Sequence, residues 1–574
     1  MVKLMGFVKA IRARRSQATS TRLISFLICI ECWLIKHEGA LAVAEHEGSS
    51  WIRGQEHAHS RIGFLSSNIH PGSKQTFSAC PVAPLTCKGA NRRVTRMSGG
   101  EDEGGVCGSK SKRVAIIGAG AAGLATAKQM RLAGHEVTVF EQTGEVGGVW
   151  QYSNETESDP LGKVGVQGRV HSSMYENLRT NLPREVMSFS DFDFDGSFGD
   201  SRRFPHHSAV FQYLVAYSDA NSLRGNIAFR RRVMSIEPCA SQQEGRGFRG
   251  HSWIVKHTSS SSSPQQQQQQ QQEVQEGVSD HFDAVAVCNG HYSEPFLPQL
   301  EGSEAFSGIV IHSHNYRSPL LFAGKNVLVV GASASGEDIS REVGAAANKV
   351  FLSARSWQNP EWGLPSAPPF GEHRNIHRRP VVARFLGHDS VQFEDGRVAD
   401  KLDAIIYCTG YRYHFPFLRS PGVVDVDDNA IYPLFKHMLP PSMPSIAFIG
   451  IPAKIVPFPQ FEIQARFAAK VWAGDVQLPS EQEMLEEVRA EWKRKQELGV
   501  PQKYFHVQGG DQFEYNDELL SLCGADPLPE WRIYMFSQCS QNKRKFPETY
   551  RDTPLPTIEE YEKMLANARL AATR

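Results

Sequence analysis

Two apolar periods organise the chain from Arg113 onward. Val114-Ala-Ile-Ile117, Val137-Thr-Val-Phe140 and Val327-Leu-Val-Val330 are short, nearly unbroken apolar runs. Such runs suit parallel strands buried on both faces. Leu124 to Ala133 instead shows helical periodicity and strong helix formers. The pattern predicts a strand–turn–helix–strand unit from Lys112 to Glu141, with its turn at Gly118-Ala-Gly120-Ala-Ala-Gly123. A second unit begins at Lys325. Its strand covers residues 326–330, its turn is Gly331-Ala-Ser333-Ala-Ser335-Gly336, its helix starts at Glu337, and its next strand ends before Arg355.

One segment between the units has neither period. Ser259–Ser263, Pro264 and Gln265–Gln272 are low-complexity sequence flanked by the strand-like stretches 253–256 and 282–288. They cannot build a core, so residues 258–277 are expected to be a solvated insert in a hairpin. A long surface loop costs little in closure entropy. No 20–50-residue period repeats, which excludes solenoids and propellers.

The small residues of the first turn have separate physical tasks. Gly118 permits the tight turn, Gly120 leaves room for a pyrophosphate, and Gly123 lets helix and strand pack closely. The helix N-terminus then offers N–H groups to phosphate. Glu141 is placed to accept hydrogen bonds from a ribose, which suits a cofactor without a 2′-phosphate there. Gly147, Gly148 and Trp150 follow at once, and read either as backbone passing a flat ligand or as an ordinary loop with a core Trp. In the second unit Ser333 is still small, and Ser335 and Gly336 complete the turn. Arg355 stands where the first unit has an acid, which suits the 2′-phosphate of NADPH.

Charge changes the picture mainly at the N-terminus. Lys plus Arg equals Asp plus Glu at 62 each, so the chain is no polycation built for nucleic acid. Residues 1–100 nevertheless carry 14 Lys or Arg against 5 Glu and no Asp. Residues 1–110 are expected to be a disordered or targeting extension: a transit peptide, a signal segment around Leu23 to Ile35, or a plain tail with Met97 as an alternative start. The compartment is accordingly cytoplasmic, or an organelle or the ER if the extension is a targeting segment. Ten Cys in 574 residues exclude a disulfide scaffold. Cys29 and Cys32 precede both units, so a flavin-linked dithiol is not expected. Cys288 and Cys408 read as small core residues. No metal site or hydrolytic triad is visible.

Phe306-Ser-Gly308-Ile-Val-Ile-His312-Ser-His-Asn-Tyr316 fits the pattern FxGxxxHxxx(Y/F), and lies just before the second unit. It resembles the motif of flavin-containing monooxygenases. Residues 403–411, including Thr409 and Gly410, resemble that family's strand returning the chain to the FAD domain. Residues 177–183 resemble the segment with its active-site asparagine, here Asn181. The wording of 178–183, 457–464 and 548–552 is similar to the plant S-oxygenase branch, glucosinolate S-oxygenase-like. The resemblance covers about residues 112–552.

The resemblance implies an α/β protein of two doubly wound Rossmann-like domains, the NADPH domain inserted into the FAD domain. The expected boundaries are 111–320 for the first segment of the FAD domain, 321–402 for the NADPH domain, and 403–574 for the second FAD-domain segment with the C-terminal region. It implies that NADPH reduces FAD, that reduced flavin captures O2 as a C4a-hydroperoxide, and that one oxygen passes to a thioether sulfur or amine nitrogen. Asn181 is the catalytic candidate; its alternative role is capping a turn. His312 is a positioning residue or a satisfied structural histidine rather than a proton shuttle. No protein partner is inferable. Two other functions stand beside this one. A Baeyer–Villiger monooxygenase would have Trp at the motif's end, where Tyr316-Arg317 stands. A non-catalytic FAD/NADP redox sensor would share both turns.

Overall fold

A computed structural model describes residues 111–163, 170–240, 251–259, 278–420 and 422–572. The N-terminal extension, with Met97, Cys29 and Cys32, lies outside the described residues, as does most of the Ser/Gln insert. Among the described residues, those from 111 to Pro556 form one compact unit, and the helix Ile558–Ala572 belongs to a second. Among the described residues, no helix is long and apolar enough to cross a membrane.

Within the first of these the two sequence units build two separate parallel sheets. The first has the order Ile446–Phe448, Ala284–Val287, Arg113–Ile117, Glu136–Phe140, Ile227–Ala228. The second has the order Ile376–Arg379, Lys349–Ser353, Asn326–Val330, Ala404–Tyr407, Ile309–His312. The first sheet gains its last strand only after the second is complete. The second unit is therefore inserted into the first, in an α/β architecture.

Period-2 alternation sends successive side chains to opposite faces. Val114 and Ile116 join the helices Ala121–Leu132 and Pro457–Ala473, while Ala115 and Ile117 meet Trp253, Val255 and Phe282. The latter come from an antiparallel sheet of Arg231–Ala240, His251–Ser259 and Val278–Phe282. In the second unit Val327 and Val329 face Ile339 and Val343 of the helix Ala334–Ala346, and Leu328 faces Val382, Val391 and Phe393 of a smaller antiparallel sheet. Each parallel sheet thus has helix on one face and a three-stranded meander on the other.

Two expected boundaries shift. The second sheet starts at Ile309 and ends at Tyr407, wider than 321–402. The run around 404–407, expected to return the chain to the first domain, lies inside the second sheet between two parallel neighbours. All four residues are buried, as a strand covered on both faces requires. The return to the first sheet is Ile446–Phe448.

Candidate functional site

The two Gly-rich turns are built alike. Gly118 has φ +102° and Gly331 φ +103°, where side chains are strained. A Cβ on Gly123 would fall 1.9 Å from the Gly118 carbonyl oxygen, and one on Gly336 1.8 Å from that of Gly331. The third small residue thus sets how closely helix meets strand. The middle residues, Gly120 and Ser333, are extended with φ −74° and −84°. That position needs small size rather than glycine's freedom, which explains the serine.

Both helices start without a side-chain cap. Their first N–H groups are left for a ligand. The helix Glu481–Glu497, by contrast, carries a full Ser480/Glu483 capping box. The turns differ in cover. The Gly120 Cα faces that of Gly148, where an added Cβ would lie 2.9 Å away, and Gly147 N–H donates to the Ala119 carbonyl at 3.0 Å. The Gly147-Gly148 pair therefore braces the first turn. Trp150 is part of that brace, edge-on to Phe458 at 6.4 Å. Ser333 is exposed and Ser335 half-buried in the first turn of its helix.

The acid and the arginine lie at the expected strand ends. Glu141 is buried; it accepts from Thr143 N–H and Oγ1 on one oxygen and from Ala119 N–H at 2.8 Å on the other. A carboxylate oxygen accepts two bonds, so the second keeps one position for a ribose hydroxyl. Arg355 is exposed; its Nη2 donates to the Tyr504 hydroxyl, and its guanidinium lies 5.5 Å from that ring. These turns and strand ends fit FAD at the first unit and NADPH at the second.

Thr409 and Gly410 follow the strand Ala404–Tyr407 of the second sheet. Thr409 Oγ1 donates to the Phe296 carbonyl, and Gly410 has φ +89°. Their first-unit counterpart, Cys288-Asn289-Gly290, was not anticipated, although Ala284-Val-Ala-Val-Cys-Asn-Gly290 repeats Ala404-Ile-Ile-Tyr-Cys-Thr-Gly410. Beyond these ends, Tyr292 meets Tyr411 at 5.6 Å and His291 meets Tyr413 at 5.3 Å. Tyr292 is 50% exposed at the edge of this aromatic cluster. Burial pushes His291 down to about 4, against the pull of the Gly450 backbone.

The FxGxxxHxxx(Y/F) motif acts as a buckle between the units. Phe306 is buried against Phe385. A Cβ on Gly308 would strike the Asp403 carbonyl at 2.4 Å. His312 is fully buried, and its Nδ1 accepts from His314 N–H at 3.1 Å. Burial, with His314 beside it, pushes its pKa down to about 3, partly opposed by the Gly410 backbone. It stays neutral at physiological pH and cannot shuttle protons there. Tyr316 donates to Glu342 at 2.8 Å.

His314 and Arg317 were not singled out as site residues. His314 bonds Ser173 Oγ at 2.7 Å and Glu157 at 3.0 Å. Arg317 donates to five backbone carbonyls, those of Ser153, Glu155, Ser172, His314 and Tyr316, at 2.7–3.2 Å. Such a fork of donors without a carboxylate partner leaves no periodic trace in sequence.

Asn181 lies on a strip after Thr180, whose N–H donates to the Pro205 carbonyl. The Asn181 side chain is exposed and makes no hydrogen bond among the described residues. The local turn is closed by Thr180 Oγ1 donating to the Leu182 carbonyl at 2.9 Å. No group of His, Cys, Asp and Glu among the described residues has the arrangement of a metal site.

The family model described as "Flavin-binding monooxygenase-like" matches residues 111–365 and 374–537. Flavin-containing monooxygenase FMO GS-OX-like 2 of Arabidopsis thaliana is 40% identical, over 77% of this chain and 91% of its own length. The structure of S-allyl-L-cysteine S-oxygenase from Allium sativum is 39% identical and superposes with TM-score 0.71, covering 81% of this chain and 99% of that one. Tmm from Pelagibacter sp. strain HTCC7211 is 27% identical with TM-score 0.62, covering 77% and 93%.

Proposed function

The chain belongs to the flavin-binding monooxygenase-like family, and from that premise we propose that its substrate is a small thioether, oxidised to the sulfoxide. The protein is a monooxygenase that uses FAD and NADPH. One atom of O2 goes to sulfur and the other leaves as water; NADPH and a proton supply the two electrons and the balance of hydrogen. Bound FAD, reduced by NADPH, supplies the activated oxygen.

The chain's own residues bind, orient and exclude water. The uncapped helix starts and open middle positions receive the phosphates. Glu141 holds a ribose, and Arg355 meets a 2′-phosphate. The exposed, unbonded amide of Asn181 supports its role as an orienting group that can donate and accept without titrating.

The observation that carries the choice of sulfur is the neutrality of the aromatic cluster beyond the strand ends. Tyr292, Tyr411 and Tyr413 keep their protons, and burial holds His291 and His312 neutral. Glu157, outside the motif, is engaged by His314. A thioether is neutral at every pH and keeps its lone pair, whereas a tertiary amine is largely protonated at neutral pH and must shed that proton before its nitrogen can take oxygen, which neutral side chains do nothing to assist. The similarity to the Allium sativum S-oxygenase points the same way.

The test offers S-allyl-cysteine, a tertiary amine and a cyclic ketone to the FAD-loaded protein, with products read by mass spectrometry. Sulfoxide as the main NADPH-dependent product is expected. Preferential N-oxide or ester would overturn the reading. Asn181→Ala should keep FAD and flavin reduction but divert NADPH oxidation to hydrogen peroxide. Parent coupling in that variant would remove Asn181 from the site.

A further inference from the structure

We propose that Arg551 and Asp338 form a positioning pair that ties the strip carrying Asn181 to the helix opening the second nucleotide turn. The proposal rests on the Asn181 reading above, and gives a role to the segment around 548–552 that the binding residues leave unexplained.

The guanidinium of Arg551 faces two elements at once. Toward the helix Ala334–Ala346 it forms a two-pronged pair with Asp338, Nη1–Oδ1 at 3.0 Å and Nη2–Oδ2 at 2.5 Å. Toward the strip, Nε donates to the Thr180 carbonyl at 2.8 Å and Nη2 reaches that of Arg179 at 3.4 Å. Both charged side chains are largely buried, at 16% and 19% exposure. Burial alone would lower the pKa of Arg551; Asp338 overrides it and holds the guanidinium charged.

The surroundings fix this hub on both sides. Tyr175 adds a hydrogen bond to Asp338 at 3.3 Å. The next carbonyl of the strip, that of Asn181 itself, faces Cys539 Sγ at 3.8 Å. Arg179 pairs with Asp552 at 3.0 Å. Tyr550 sits edge-on to Phe204 and packs with Cys539 and Leu555. The carbonyls of 179, 180 and 181 are thus held by the C-terminal segment. Asp338 lies two residues past Gly336, the packing residue of the turn. A helix moves as a rigid body, so a dinucleotide that settles this helix also settles Asp338, Arg551 and the strip.

Two variants separate the halves of the tie. Arg551→Lys keeps a charge opposite Asp338, but one ammonium cannot replace the planar fork that also serves Thr180. Asp338→Asn keeps the carbonyl contacts and weakens the link to the helix. Amide hydrogen exchange over residues 179–187 is measured in the FAD-loaded protein with and without NADP+. Peroxide and sulfoxide are measured per NADPH oxidised.

The parent should show NADP+-dependent slowing of exchange in this strip, and both variants should lose it while retaining FAD. The peroxide fraction should rise roughly 2- to 30-fold, the range of coupling carried by such networks. Parent-like NADP+-dependent protection in both variants would overturn the proposal. Equal loss of protection with and without NADP+, or failure of both to load FAD, would also overturn it by making the pair a folding element. If Asn181→Ala keeps parent coupling while the exchange effect stands, the Asn181 reading fails and the tie survives.

Discussion

The two nucleotide turns agree in backbone and differ in what they present. Gly118 and Gly331 share the same positive φ, and Gly123 and Gly336 the same crowding against a carbonyl. Gly118 N–H donates to Phe140 at 2.8 Å, and Gly331 N–H to Ser353 at 2.9 Å. Asp283 and Asp403 each accept, at 2.8 Å, from the N–H of the residue opening the strand that leads into the Gly-rich turn. The differences lie outward. The first turn is braced by Gly147-Gly148 and ends at buried Glu141; the second is open, with exposed Ser333 and Arg355. Main-chain hydrogen bonding and packing constrain the repeated features, while ligand chemistry sets those that diverge.

The largest effects should come from the shared features. Gly123→Ala and Gly336→Ala each place a methyl within 1.9 Å of a carbonyl oxygen. Gly123→Ala should purify without FAD. Gly336→Ala should keep FAD but not be reduced by NADPH. Flavin absorbance followed by NADPH addition separates them; loss of FAD in both would break the independence of the units.

The divergent features should respond selectively. Arg355→Ala should raise KM for NADPH roughly 10- to 150-fold, equivalent to about 1.5–3 kcal/mol for a charge-assisted contact. KM for NADH should barely move. Equal effects on both cofactors would mean that Arg355 does not meet the 2′-phosphate. Middle-position exchanges sharpen the point. Gly120→Ser puts a side chain between the brace and the phosphates, and should weaken FAD binding roughly tenfold, about one charge-assisted bond. Ser333→Gly should change KM for NADPH by less than about fivefold, since a flexible glycine costs only up to about 1 kcal/mol.

The last effect is confined to acid pH. His312 occupies the register position that Phe448 holds in the first sheet. Its pKa is near 3 when folded and about 6.5 when unfolded. Between these values the unfolded chain binds more protons, so stability rises with pH across the window and is lost as pH falls from about 6.5 toward 3. Urea unfolding of His312→Asn should show a shallower acid loss than the parent. An unchanged slope would mean that the ring titrates normally in the folded protein.

Both turns, both strand–helix–strand units and their opposite ribose-end charges were legible because each follows from neighbours within about thirty residues. There a main-chain conformation or a packing distance permits only certain residue types. The insertion of one sheet into the other came from the family resemblance, but the boundaries did not. The all-buried run Ala404–Tyr407 suits a central strand of either sheet, and only tertiary pairing assigns it.

The sequence by itself determined the turns and the class of cofactor each admits, and its family resemblance singled out Asn181. The tertiary structure alone decided what holds them in place. Arg317 bonds carbonyls from residue 153 to 316, Tyr504 covers Arg355, and Arg551 joins residues 180 and 338. Such contacts have no period and no fixed spacing. They arise from long, many-donor side chains meeting backbone groups that the fold brings within reach, so their partners emerge only when the chain is closed.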